Sequence, residues 1–288
     1  MEKDSLEHDE QMSDQDGTHN QADQEMTFFD HLHVLRKHLV RMVVALFLSS
    51  IVIFAFGSTV FDAIILAPTK SDFATFRGWC KLLEWIGAGH GECMSFGTLT
   101  LIATGVSDQF LLHLKASFYM GFAVVFPYFI YEIWRFIAPG LYPKERKASA
   151  RAIMWSGLLF FLGVLFGYFL LTPFAIYFFA NYQISDQIHN TFTIGSLLSF
   201  MSTMTLLTGV LFQLPILGYF LGRVGVLTAG FARRNRRYAT VIIFILSAII
   251  TPSDPGTMLM VAIPLLLLYE VTILVIAKTS PRSSDSGE

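Results

Sequence analysis

The sequence predicts an all-α polytopic membrane protein with six transmembrane helices and both termini on the cytoplasmic side. Three observations carry that expectation. The 288 residues are 53% hydrophobic and only 15% charged, with a mean hydropathy of +0.55, whereas a soluble domain carries about 25% charged residues. The 28 phenylalanines leave too few polar side chains for a water-facing surface. The apolar residues gather into six blocks, and Lys and Arg cluster between alternate blocks.

Residues 1–26 hold nine acidic groups against Lys3 alone; without them the remainder carries thirteen acids and nineteen bases. This segment has no apolar periodicity, so its composition predicts a disordered, solvating acidic cytoplasmic tail. It lacks the basic start and apolar core of a cleavable signal peptide. Phe28, Phe29, Leu32, Leu35 and Leu39 then recur at helical spacing with polar residues between them. That pattern predicts an amphipathic lead-in helix lying along the interface before the chain turns into the bilayer.

Six spans follow, at Leu39–Phe56, Leu112–Ile137, Ile153–Phe179, Leu197–Leu221, Tyr238–Ile250 and Met258–Ala277, so the membrane domain runs over 27–278 and a short cytoplasmic tail over 279–288. A hydrocarbon core of about 30 Å takes roughly 20 helical residues. The first four spans approach that length. The fifth covers only about 20 Å at about 1.5 Å per residue, and Pro264 and Glu270 interrupt the sixth. Two readings stand for this pair: re-entrant segments, or short true spans that thin the bilayer locally. Clean alternation of charge favours the second.

The basic residues set the orientation. Lys3, Arg36 and Lys37 precede the first span, and Arg41 lies at its start. Arg135, Lys144, Arg146, Lys147 and Arg151 surround the second-to-third connection. Arg223, Arg233, Arg234, Arg236 and Arg237 lie around the fourth-to-fifth connection, and Lys278 and Arg282 follow the sixth span. The opposite side holds only Lys70, Arg77, Lys81 and Lys115. Sixteen against four puts both termini in the cytoplasm. Trp134 and Trp155, flanking one cytoplasmic loop, read as an aromatic belt.

No phosphate-cradling Gly-Lys loop, His-Glu-x-x-His helix or nucleophile elbow occurs, which disfavours an ATP-driven pump and the common membrane hydrolases. No enzyme activity, cofactor or metal is expected. The only cysteines, Cys80 and Cys93, lie in the long outer loop. His90 and Glu92 make a metal site conceivable, but two thiols in an oxidising compartment favour a disulfide. His31 and His33 are two apart and face different sides of a helix, so they do not chelate together.

The stretch Phe136-Ile-Ala-Pro-Gly-Leu-Tyr-Pro-Lys-Glu-Arg-Lys147 places Glu145 among cations. It reads either as a local salt bridge or as a receptor for an incoming guanidinium, which a carboxylate accepts through two parallel hydrogen bonds. Together with His31-Leu-x-x-Leu-Arg36 and Thr251-Pro-x-Asp254, this stretch resembles TatC, the receptor subunit family of the twin-arginine protein translocase. The resemblance runs through residues 26–278. It implies a concave, cupped arrangement of six helices with short fifth and sixth members, in the bacterial inner membrane.

It also implies roles. Glu145 corresponds to the acid that engages the twin-arginine signal peptide, with Phe136, Pro139 and Leu141 shaping that surface and Arg36 in the lead-in motif. The family usually has a Glu where this chain has Val34. Asp30, one turn earlier on the same face, is the expected substitute. Gln213 in the fourth span and Thr251 match positions where the single-span partners TatA or TatB dock, and hydrogen bonding of Gln213 to a neighbouring helix is the alternative. Asp254 and Pro68 match the outer cap. Proton-motive force is the implied energy source.

Pro127, Pro173 and Pro215 interrupt three spans and are expected to bend them. Gly163-x-x-x-Gly167 reads either as a site of close helix approach or as packing filler. The rival function is a small-solute transporter with a midplane site at Gln213 and Glu270.

Overall fold

The computed structural model describes residues 28–87, 100–137, 143–185, 190–223, 225–251 and 255–279, and of 28–32, 137, 143–152 and 279 the backbone alone. Both predicted tails, Pro139, Leu141, Cys93 and Asp254 lie outside the described residues. The chain is almost entirely helical. Its helices are α1 (Phe28–Ala55), α2 (Gly57–Val60), α3 (Ala74–Trp85), α4 (Asp108–Ile137), α5 (Pro143–Phe166), α6 (Thr172–Asn181), α7 (Ile194–Leu211), α8 (Leu214–Arg223), α9 (Ala229–Arg234), α10 (Arg236–Ile250) and α11 (Pro255–Thr279). It divides into two units, one ending at Arg41 and the other starting at Met42.

Among the described residues five stretches are long and apolar enough to cross a membrane: 33–55, 108–136, 153–181, 194–223 and 255–278. Their outer faces are apolar and open. Phe47, Ile51, Leu158, Ile263 and Leu267 are each more than half exposed, far beyond what a water-soluble monomer leaves as a contiguous patch. These faces suit lipid. The protein is a multi-pass membrane protein.

Two expectations are corrected here. The lead-in and the first span form one helix, α1, with no break at Leu39, because 28–55 contains no glycine or proline. The last helix is not short. α11 runs 25 residues with Pro264 inside it, since a membrane helix tolerates one lost backbone bond. Glu270 does not end it either, because Arg236 Nη2 donates to its Oε2 at 2.7 Å. Only α10, at 15 residues, falls below the roughly 20 needed for a full crossing.

The prolines act in three ways. Pro127 sits within an unbroken α4. Pro215 has no amide hydrogen for the carbonyl of Leu211, and the fourth span opens at Phe212 and Gln213 before restarting as α8. Pro173 follows a π-helical turn, Gly167–Leu171. It has no amide hydrogen for the carbonyl of Phe169, and the hydroxyl of Thr75 on α3 donates to that carbonyl.

That contact is one of several that tie the 57–107 segment to the spans. Phe73 and Phe76 are buried against Tyr168 and Tyr177, and Tyr168 Oη donates to the carbonyl of Ile64 at 2.7 Å. Two short strands, β1 (Leu101–Ile102) and β2 (Phe192–Thr193), pair in parallel. The predicted loop thus contains real structure. Pro68 lies in its 3-10 turn Ala67–Thr69, fully buried.

Within the spans, α5 packs on α4 and α7, and α11 packs on α8 and α10. Glycines set the tightest approach. A Cβ on Gly163 would come within 2.8 Å of Gly209 Cα, and one on Gly167 within 2.9 Å of Thr205 Cα. The Gly163-x-x-x-Gly167 pair is therefore a site of close approach between α5 with its π turn and α7, the small-residue packing that membrane helices favour. A core cluster of Leu171, Ile243, Val261, Ala262 and Leu265 joins the third span to α10 and α11.

Candidate functional site

α4 ends at Ile137 and α5 begins at Pro143, with 138–142 outside the described residues. Phe136 is half-buried one residue before the end of α4, and Glu145 lies in the first turn of α5. Pro143 opens α5, as its fixed φ suits a first helical position. An acid in a helix's first turn is favoured by the positive end of the helix dipole. Trp134 is buried and stacks on Phe220 at 4.8 Å between ring centroids, so it anchors α4 to α8 rather than forming a lipid-facing belt. Trp155 is exposed.

A residue missed by sequence reasoning lies just over one turn before the end of α4. Glu132 is 2% exposed on α4, and Tyr128 Oη donates to its Oε1 at 2.7 Å. The signal was available: an acid in an apolar span marks a functional position by default, and Tyr128 sits one turn before it.

In the other unit, Asp30, Val34 and Arg36 all belong to α1. Spacing of four puts Asp30 and Val34 on one face, about 6 Å apart along the axis. Arg36 is exposed and Val34 half-buried.

Gln213 occupies the break above Pro215. Its backbone N–H donates to the carbonyl of Val210 at 2.9 Å, and its own carbonyl accepts from Ile216 and Leu217. The side-chain amide reaches across to α5: Oε1 accepts from Ser156 Oγ, and Nε2 donates to the Ser156 carbonyl at 3.2 Å. Ser156 is 1% exposed. Gln213 thus joins two helices through a polar pair in an apolar setting. Glu270, half exposed with Arg236, has a partner of its own, which leaves the transporter reading without support.

Thr251 ends α10, 4% exposed, with its Oγ1 donating to the Ser247 carbonyl at 2.8 Å. Its hydroxyl is thereby committed to its own helix end. Cys80, on α3, is disulfide-bonded; the other cysteine of the chain is Cys93. Among the described residues no group of three or more His, Cys, Asp and Glu is placed to hold a metal ion.

The sequence pattern of the family described as "Sec-independent protein translocase protein (TatC)" matches residues 30–264. The chain belongs to the TatC family. A Sec-independent protein translocase protein TatC from Blattabacterium sp. subsp. Periplaneta americana (strain BPLAN) is 36% identical over 87% of this chain and 95% of its own length. TatCy from Bacillus subtilis (strain 168) is 31% identical over 91% and 93%. A crystal structure described as the twin arginine translocase receptor TatC shares 30% identity, with a TM-score of 0.67 over 86% of this chain and 99% of its own. TatC membership makes this a protein-transport component, a subunit of a Sec-independent translocase.

Proposed function

We propose that this TatC-family chain is the receptor subunit of a twin-arginine translocase. It captures twin-arginine signal peptides at the cytoplasmic face of the bacterial inner membrane. It then assembles with TatA- and TatB-type single-span subunits to export folded cargo, driven by the proton-motive force. Six spans, α10 among them, put both termini in the cytoplasm, in keeping with the sixteen-to-four split of basic residues.

The observation that carries this reading is the position of Glu145. It stands in the first turn of α5, nine residues after Phe136 near the end of α4, in a chain 30% identical to a solved twin arginine translocase receptor. Its carboxylate pairs with a signal arginine through two charge-assisted hydrogen bonds, a geometry that lysine does not reproduce. Phe136, Pro139 and Leu141 shape the surrounding surface, and Asp30 supplies a second acid. The signal's apolar segment lies near Gln213 and Thr251, where the partner helices also gather. Asp254 and Pro68 stabilise the outer cap, with Cys80 and Cys93 bridged beneath it.

The test is binding of a labelled twin-arginine peptide to the purified full-length protein. Glu145→Gln weakens binding at least about tenfold, as loss of a hydrogen bond to a charged group implies, and so does a Lys-Lys peptide on the unchanged protein. Equal binding of both peptides sinks the reading.

A further inference from the structure

α1 and α4 are held in antiparallel register by two contacts. Phe54 stacks on His113 with ring centroids 4.0 Å apart, and Ser49 Oγ donates to the carbonyl of Gly121 at 3.2 Å. Between these points an open groove of about 520 Å³ runs along both helices. Phe47 and Ile51 wall it on one side, and Leu114 and Phe118 on the other. Its serines offer little polarity. Ser50 and Ser117 donate to their own helices, to the carbonyls of Leu46 and His113, each at 2.8 Å.

Among the described residues lining this groove Lys115 alone is charged, and it is exposed. Its depth follows from helix length. The 30 residues of α4 measure about 45 Å, so a centred hydrocarbon layer of about 30 Å leaves about 7 Å of helix outside at each end. Lys115 lies seven residues past Asp108, about 10 Å in, and its long stem carries the ammonium back to the headgroup level. Deeper still the groove is apolar. A cation above an apolar slot matches a molecule with an anionic head and a hydrocarbon tail.

We propose that this groove binds one anionic phospholipid from the leaflet that faces the 57–107 segment. A phosphate oxygen pairs with the Lys115 ammonium, and an acyl chain lies between Phe47, Ile51 and Phe118. Charge complementarity selects the head: the Lys115 ammonium, carried to the headgroup level by its stem, attracts anionic phosphate there, with Asp108 the neighbouring counter-charge on the same helix. Length excludes a membrane-crossing helix as occupant. The groove ends where a Cβ on Gly121 would already come within 2.6 Å of Ser50 Oγ, and from His113 to Gly121 is only about 12 Å. A single-leaflet lipid fits; a spanning helix does not.

The test is native mass spectrometry of the full-length protein in detergent, titrated with phosphatidylglycerol, phosphatidylcholine or glycerol 3-phosphate. One phosphatidylglycerol is retained in preference to phosphatidylcholine, and glycerol 3-phosphate neither binds nor competes. Lys115→Gln lowers phosphatidylglycerol occupancy about fivefold, the worth of one basic residue near an anionic surface. Lys115→Arg keeps it, and so does Lys81→Gln. Ile51→Trp fills the slot with the ammonium intact and also loses the lipid; thermal melts of each variant separate lost binding from lost folding. Equal retention by Lys115→Gln, no preference for the anionic lipid, or competition by glycerol 3-phosphate overturns the proposal. So does a dimer that Ile51→Trp dissociates, which would make a second copy the occupant.

Discussion

Gln213 and Ser156 are joined twice, through Oε1 and Nε2 of one amide, across the gap between a broken span and α5. The break supplies the freedom: Pro215 opens the helix, and Gln213 sits where the backbone turns. Side-chain hydrogen bonds between membrane helices average about 0.6 kcal/mol and reach about 1.7. Gln213→Leu is therefore expected to cost about 1 kcal/mol, read as a lower melting temperature in detergent. Ser156→Ala adds little in that background, because the two residues form one coupled unit. Strictly additive losses would mean that the pair is not what joins the helices.

The spans were legible because lipid demands apolar runs at a length that sequence displays directly, and Lys and Arg report their ends. Less of the rest was legible, for physical reasons. β1 and β2 are two residues each and pair across about ninety positions, too short for any alternation to register. The helix α3 lies in a loop read for its cysteines, although Phe73 and Phe76 mark a buried face. The shortening expected of α11 came from weighing Pro264 and Glu270 singly, when Arg236, 34 residues away, supplies the partner. In the candidate site, Glu145 and Gln213 stood out by motif. Glu132 belongs to no such motif; its place as an acid inside an apolar span was the available signal, and only packing shows its burial against Tyr128.

The hydroxyl of Thr75 meets the carbonyl of Phe169, to which Pro173 offers no amide hydrogen. Thr75→Val keeps the shape and removes the donor. The expected loss is about 1 kcal/mol, while Thr75→Ser retains most of the stability. Melting temperatures of the three proteins, measured in one detergent, check this; identical values for Val and Thr would mean that the carbonyl has no need of the hydroxyl.

At Gly163 the first added carbon meets backbone, Gly209 Cα at 2.8 Å, together with Phe212 Cβ at the same distance. Backbone yields far less than a flexible side-chain tip. Gly163→Val is expected to destabilise by about 1–3 kcal/mol, the range for overpacking. Gly230, where an added Cβ meets nothing within 4 Å, tolerates alanine. Expression and monodispersity in detergent separate the two variants, and a well-folded Gly163→Val protein would show that α5 and α7 slide apart at little cost.

Val34 and Asp30 share one face of α1, a turn apart, and Val34 occupies the position where TatC relatives are expected to carry an acid. If Asp30 stands in for that acid in holding a signal-peptide guanidinium, Asp30→Asn weakens peptide binding by up to about fivefold, the upper range for an exposed ion pair. Val34→Glu places a carboxylate directly at the family position. It is expected to tighten binding and to make Asp30→Asn silent, because one acid then serves where the other had reached. Arg36 is exposed on the same helix, and Arg36→Gln, which removes a positive charge six residues from Asp30, is expected to shift the salt dependence of binding. Peptide titrations of the four variants at two salt concentrations read all of this. Unchanged affinity in both Asp30→Asn and Val34→Glu would mean that this face of α1 takes no part in recognising the arginines, leaving Glu145 to bear it alone.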